Sequence, residues 1–262
     1  IFVIPFYIFI YRLDFIVLQS FGTFFYKSRI GIFVHDILYK DFPEFFSKKE
    51  KIYFSPIIYL LKKARIIFTT SDYVVKCIKR HTKYKQINII NTSLGVDHLK
   101  KIKSIQPKKI KNNLKYVLFV GRFNNRKNIL NLVKAFIRLN YNNIKLVLVG
   151  KKSHKFDNIS SYISQNQFKN KIIIIENASD NNIKWLYKNA LIFCSPSYAE
   201  GFGLPPIEAM SQACSVIVSN KTAHPEICGS SALYFNPNDS IELSNKINLL
   251  IKNKKKRLKL TK

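Results

Sequence analysis

Acidic side chains, paired cysteines and long apolar runs are scarce in this chain, and each shortage removes a class of function. Only 15 Asp and Glu stand against 44 Lys and Arg over 262 residues, a net charge of +29, and no Asp-x-Asp pair is present. The four cysteines, Cys77, Cys194, Cys214 and Cys228, form no CxxC pair and have no His-rich neighbourhood. That argues against a zinc site, and scattered thiols suit a reducing cytosol. No apolar stretch reaches the roughly eighteen residues that a membrane-spanning helix needs. Residues 1–10 are apolar but have no basic start or cleavage site, so they read as a strand or core helix rather than a signal peptide. Zinc-finger spacing, an RNP-type aromatic motif and a basic zipper are all missing, which leaves nucleic-acid recognition without a module.

The 47% hydrophobic content is ample for a packed core. Apolar runs alternate with amphipathic stretches, which predicts α/β layers in one large or two modest domains. Residues 116–120, 145–149, 172–175, 191–194 and 216–219 read as parallel strands. Helices are expected near 129–139, 160–168, 183–189 and 207–212. Near-continuous apolar strands fit a sheet covered on both faces. Upstream, 13–19, 31–37, 64–71 and 87–90 also read as strands, with Ser71 or Asp72 capping the following helix. Trp185 and Tyr187 fall in an amphipathic helix and are expected in the core or a cleft wall. The polar, basic stretch 100–113, with Pro107, reads as the linker between domains 1–99 and 114–262.

The turn Glu200-Gly201-Phe202-Gly203-Leu204-Pro205-Pro206-Ile207-Glu208 carries the strongest chemical signal. Gly201 and Gly203 let bare N–H groups face a ligand, and Pro206 suits the first turn of a helix. A helix N-terminus behind such a loop attracts phosphate, whereas Glu200 and Glu208 can accept hydrogen bonds from sugar hydroxyls. Phosphate donors and hydroxyl acceptors in one turn suggest a nucleotide-sugar site. A second element follows an apolar run: Gly121-Arg122-Phe123-Asn124-Asn125-Arg126-Lys127-Asn128. Arg122 and Lys127 flank a strand-to-helix turn, where an α/β sheet places its ligands, and two such cations can hold a diphosphate.

Together with Leu146-Val147-Leu148-Val149-Gly150 and His224-Pro225-Glu226-Ile227-Cys228-Gly229, these segments resemble the donor half of the GT-B retaining glycosyltransferases of family 4. The closest group is the mannosyltransferase-like enzymes of bacterial polysaccharide assembly. Gly31-Ile32-Phe33-Val34-His35-Asp36-Ile37 is similar to the family strand that delivers a histidine to the interdomain cleft. The turn Gly95-Val96-Asp97 is similar to the end of the family's first domain. The resemblance implies two Rossmann-type domains with parallel sheets, the N-terminal one incomplete, and transfer of a hexose, expected to be mannose, with retention. The donor is a nucleoside diphosphate sugar; the acceptor is a glycan or lipid-linked glycan.

The same resemblance implies that Arg122, Lys127, Gly203 and Leu204 bind the diphosphate. Glu200, Gly201, Phe202 and Gly203 would bind the sugar, and Glu208 the ribose. His35 and Glu200 act in catalysis, and neither a metal nor a cofactor is required. The family's glycine-rich loop after its first strand is absent, so the chain is expected to be truncated at both ends. Ala213, Ser215 and Glu176 replace the family's usual glycine, proline and glycine, which leaves the donor base open.

The excess of lysine adds a partner. Clusters occur at 108–111 and 254–257, and the summed field favours peripheral attachment to an anionic membrane, on its cytoplasmic side, where a lipid-linked acceptor would sit. Two rivals stand beside the enzyme. A basic nucleic-acid-binding protein explains the charge but not the Glu200–Glu208 turn. A non-catalytic sugar-nucleotide-binding remnant explains motifs and truncation together.

Overall fold

The computed structural model describes residues 3–23, 30–82, 88–151, 157–165 and 168–261. It divides into two compact units, Ile1–Leu94 and Gly95–Lys262. In the first, β1 (Ile16–Gln19), β2 (Ile30–Val34), β3 (Ile66–Thr69) and β4 (Asn88–Asn91) form a parallel sheet in sequential order. Ile30, Ile32, Val34 and Ile67 pack with Ile57, Leu61, Val74 and Ile78 into its core. Ser71 is the cap of the helix Asp72–Thr82, its hydroxyl accepting the Val74 N–H at 3.2 Å.

The second unit holds β5 (Lys115–Val120), β6 (Ile144–Val149), β7 (Ile172–Ile175), β8 (Ile192–Ser195), β9 (Val216–Ser219) and β10 (Ala232–Phe235). All pair in parallel, in the order β10-β9-β8-β5-β6-β7. The alternation within β5 explains why every residue from Tyr116 to Val120 can be apolar. Val117 and Phe119 pack under the helices Ile129–Ile137 and Ser240–Lys252, whereas Tyr116 and Leu118 pack on the other face with Leu186, Tyr187 and Ala209. Both faces of the sheet are therefore buried, as expected of a parallel sheet. The order reverses between β5 and β8. At such a switch point the loops leaving two neighbouring strands diverge to opposite faces and open a crevice.

Three expectations need correction. The stretch 100–113 is no free linker: the unit boundary falls earlier, and Leu99 and Ile110 are buried beside Tyr116 and Val147. Ile105 pins it further, donating its N–H to Asn181 and accepting from Asn182 Nδ2. Its polarity concealed two apolar anchors. The apolar start forms a helix, Val3–Ile10, but only Ile8 is buried, so it is not a core helix. Finally, β10 was not foreseen, because a four-residue strand is specified by its pairing with β9 rather than by its own pattern.

Gly121 and Gly150 end β5 and β6 with φ of +155° and +151°, a backbone that side chains rarely tolerate. A Cβ on Gly150 would stand 1.9 Å from the Gly121 carbonyl oxygen, so the two chain exits touch backbone to backbone. Gly150→Ala is expected to destabilise the protein by about 3 kcal/mol or more in urea unfolding. Gly95→Ala, where the nearest atom is a side-chain oxygen at 3.4 Å, should stay within about 0.5 kcal/mol.

Candidate functional site

The loops leaving β5 and β8 meet at the switch point. From the first, Asn124 accepts the Lys127 N–H at 3.1 Å and starts a short 3-10 turn, Asn125–Lys127. Asn128 then turns left-handed at φ 55° to enter the helix Ile129–Ile137. Its buried amide donates to the carbonyls of Pro196 and Pro237, tying the loops after β5, β8 and β10 together. Tyr198 N–H in turn donates to the Arg126 carbonyl.

These braces place Arg126 and Lys127 on the Glu200 carboxylate. Lys127 Nζ lies 2.6 Å from Oε1 and Arg126 Nη1 3.0 Å from Oε2, while Arg126 also donates to the Ala199 carbonyl. Glu200 is only 6% exposed. Burial pushes its pKa up, but Lys127 and Arg126 outweigh that and hold it well below the usual carboxylate range. Two cations on one buried carboxylate leave the cluster with a net positive charge. Each carboxylate oxygen keeps a further lone pair for a hydroxyl donor. The Glu200 N–H donates to Thr222 Oγ1 at 2.8 Å, which fixes the main chain as well.

Beyond Glu200 the chain runs through buried Gly201, Phe202 and Gly203 into the helix Leu204–Ser211. Gly203 adopts φ +96° and supplies no side-chain cap; because Pro205 and Pro206 carry no N–H, Leu204 is the one main-chain donor among the first three residues of that helix. A Cβ on Gly203 would stand 3.0 Å from His224 Cδ2. His224 is fully buried, with Nδ1 2.9 Å from Ser219 Oγ and Nε2 3.4 Å from Ser195 Oγ. Burial lowers its pKa to about 4, with Glu200 opposing the shift and Lys127 adding to it. It is a neutral ring that supports the glycine turn.

The remaining expected residues lie apart from this cluster. Arg122 is exposed, and no described residue holds its guanidinium. Glu208, one turn into its helix, accepts from Tyr187 hydroxyl at 2.8 Å and lies 3.2 Å from His98 Nε2. His35 closes β2 in the first unit. The Gln19 amide meets its Nε2 at 2.7 Å, and Thr70 donates to its carbonyl. Sequence reading missed Arg126, Asn128, Thr222 and the supporting role of His224. Arg126 and Asn128 had no signal of their own in a Lys- and Asn-rich chain. His224 stood within a quoted motif, but its burial was not legible there. Among the described residues, no three His, Cys, Asp or Glu side chains are grouped to hold a metal ion.

The model of the family "Glycosyl transferases group 1" matches residues 100–262, which include every member of this cluster. The chain belongs to that family. The O-antigen chain mannosyltransferase B of Escherichia coli is 31% identical over 78% of this chain, and the chain spans 56% of that relative's length. The fold matches a sucrose-phosphate synthase from Thermosynechococcus elongatus at a TM-score of 0.80 and 20% identity, over 100% of this chain and 70% of that one. The Anabaena protein HepE, solved with UDP and glucose, matches at 0.72 and 20%, over 88% of this chain and 64% of its own. Two α/β units with parallel sheets are thus the GT-B type of architecture.

Two titrations follow from the burial of His224 and Glu200. A group with a lowered pKa in the folded state loses stability as pH falls, because the unfolded chain binds the proton first. His224 contributes between its ordinary 6.5 and about 4; Glu200 adds a second loss below the ordinary carboxylate value of 4.5. Unfolding free energy is expected to drop by about 1 kcal/mol per pH unit below pH 6.5. His224→Gln should remove the limb above pH 4.5 and leave the lower one. Urea titrations at stepped pH check both.

Proposed function

We propose that the chain is the donor-binding part and a portion of the acceptor side of a retaining glycosyltransferase. It moves a hexose, mannose by preference, from a nucleoside diphosphate sugar to a glycan or lipid-linked acceptor in cell-surface polysaccharide synthesis. The observation that carries this reading is the buried Glu200 clamped by Lys127 and Arg126 beside an uncapped helix N-terminus at the switch point. The relatives, an O-antigen mannosyltransferase and a protein solved with UDP and glucose, support it.

Arg122 and Lys127 meet the diphosphate, together with the N–H groups at Gly203 and Leu204. That positive charge neutralises the leaving group as the glycosidic bond breaks, the work a divalent metal does elsewhere, so no cofactor is required. Glu200 accepts from the sugar hydroxyls, and Gly201, Phe202 and Gly203 present main chain to the same ring. Glu208 accepts from the ribose hydroxyls, exchanging or extending its bonds to His98 and Tyr187. His35, its ring held by Gln19, and Glu200 are the catalytic residues of this reading. No described helix is long and apolar enough to cross a membrane. The +29 charge supports peripheral work on the cytoplasmic side of an anionic membrane.

A thermal-shift panel of GDP-, UDP- and ADP-sugars tests the reading, and a panel with no response would sink it. Arg122→Ala is the cleanest probe, since the side chain has structural freedom. It should weaken a nucleoside diphosphate by about 1.5–3 kcal/mol and a nucleoside hardly at all. Glu208→Gln should weaken a ribonucleotide sugar more than its 2′,3′-dideoxy counterpart. Equal losses for the two ligands would return Glu208 to a structural role with Tyr187.

A further inference from the structure

The surface of the first unit between residues 47 and 63 combines exposed apolar side chains with a cluster of lysines. It consists of the helices Lys48–Phe54 and Pro56–Leu61. Their inner sides are accounted for: Ile57, Leu60 and Leu61 are buried, and Phe54 and Ile58 pack against the core of the unit. Their outer sides are apolar as well. Ile52 is 73% exposed, Tyr53 63% and Tyr59 51%. Around them stand Lys48, Lys49, Lys51, Lys62 and Lys63, with Lys63 Nζ 5.1 Å from the centre of the Tyr59 ring. The one carboxylate in the stretch, Glu50, is engaged in the capping box with Ser47, its Oε2 2.7 Å from the Ser47 N–H.

We infer that this face docks on an anionic lipid bilayer, with the lysines on the headgroups and Ile52, Tyr53 and Tyr59 in the headgroup–acyl boundary. Charge complementarity selects the partner: the stretch carries five lysines and one committed carboxylate, and anionic lipid attracts such a cluster. The exposed apolar side chains select a bilayer over a nucleic acid. Tyrosine rings favour the interface, and Ile52 gains by leaving water for acyl chains but gains nothing from a phosphodiester strand. Other surfaces are poorer in one half of this pairing: the helix Ser240–Lys252 exposes Ile241 and Leu249 but carries only Lys246 and Lys252 beside Glu242. The helix Val3–Ile10 exposes Phe6 and Phe9 but has no charged residue, whereas Lys254–Leu260 is highly basic but exposes only Leu258. The inference deepens the membrane-side reading of the function, since it names the face that would bring a lipid-linked acceptor to the first unit.

The test is co-sedimentation of the whole chain with vesicles of phosphatidylcholine, alone or mixed with phosphatidylglycerol. It is run without donor or acceptor, so it stands whether or not the transferase reading holds; that reading is judged separately by nucleotide-sugar binding. The substitutions Lys48→Gln, Lys49→Gln and Lys51→Gln together should weaken binding to the mixed vesicles about tenfold or more. The pair Ile52→Ser and Tyr53→Ser should abolish the binding that survives high salt. Lys254→Gln, Lys255→Gln and Lys256→Gln, which remove the same charge elsewhere, should cost less than about threefold. Melting temperatures within a few degrees of the parent would confirm that the variants fold, above all at Tyr53, whose ring packs edge-on against Phe21 and Phe54. Equal losses from the two lysine triples would overturn the inference in favour of a whole-molecule field. So would full retention by the Ile52/Tyr53 pair, or a loss of duplex DNA binding in place of vesicle binding.

Discussion

The buried carboxylate of Glu200 is the constraint around which the second unit is arranged. An ionised group in that position costs several kcal/mol unless it is paired on every side. Lys127 and Arg126 supply the pairing from a loop more than seventy residues earlier in the chain. Removing either cation leaves a buried charge partly unanswered, so the loops after β5 and β8 are bound into one structure. Asn128 and the Tyr198–Arg126 main-chain bond reinforce the same junction. The outcome is a braced, buried cluster with one more cation than carboxylate.

His224 shows how that pocket is kept selective in its charge. Proximity to Glu200 would favour an imidazolium, but full burial and the neighbouring Lys127 keep the ring neutral. A protonated ring would add a second surplus charge beside the glycine turn. A neutral one fills space against Gly203, where even a methyl group would come within 3.0 Å. The close contact explains why the turn needs glycine at that position for two reasons: its φ of +96° and its lack of room. The Leu204 N–H, the first of the helix behind the turn, then has no residue-203 side chain beside it.

The two units differ in how completely they cover themselves. In the second, apolar residues on both faces of the sheet are sealed by helices. In the first, β1 is an outer strand of the described sheet with Val17 exposed, and Phe6, Tyr7 and Phe9 stand in solvent nearby in sequence. Exposed apolar surface of this kind marks places where something else binds. The basic and aromatic face at 47–63 is one such place with a chemistry specific enough to name its partner.

Much of this protein was decided by local sequence. The alternation of apolar runs with amphipathic stretches suffices for α/β layers, because strand and helix periods are properties of neighbouring residues. The helices and strands of 116–219 therefore fell within a few residues of expectation, and the turn chemistry drew attention to Glu200 and Lys127, which the fold brings together. Tertiary structure alone decided who pairs with whom. Arg126 is one arginine in a chain of 44 basic residues until the reversal of strand order sets it against Ala199 and Glu200. Glu208 looked free in the sequence, but is held by Tyr187 and His98, which come from other elements. The stretch 100–113 read as a linker because its two anchors, Leu99 just before it and Ile110 within it, are outnumbered by polar residues. Burial is a property of the folded chain, and no local pattern reports which of a few apolar side chains finds a core to enter.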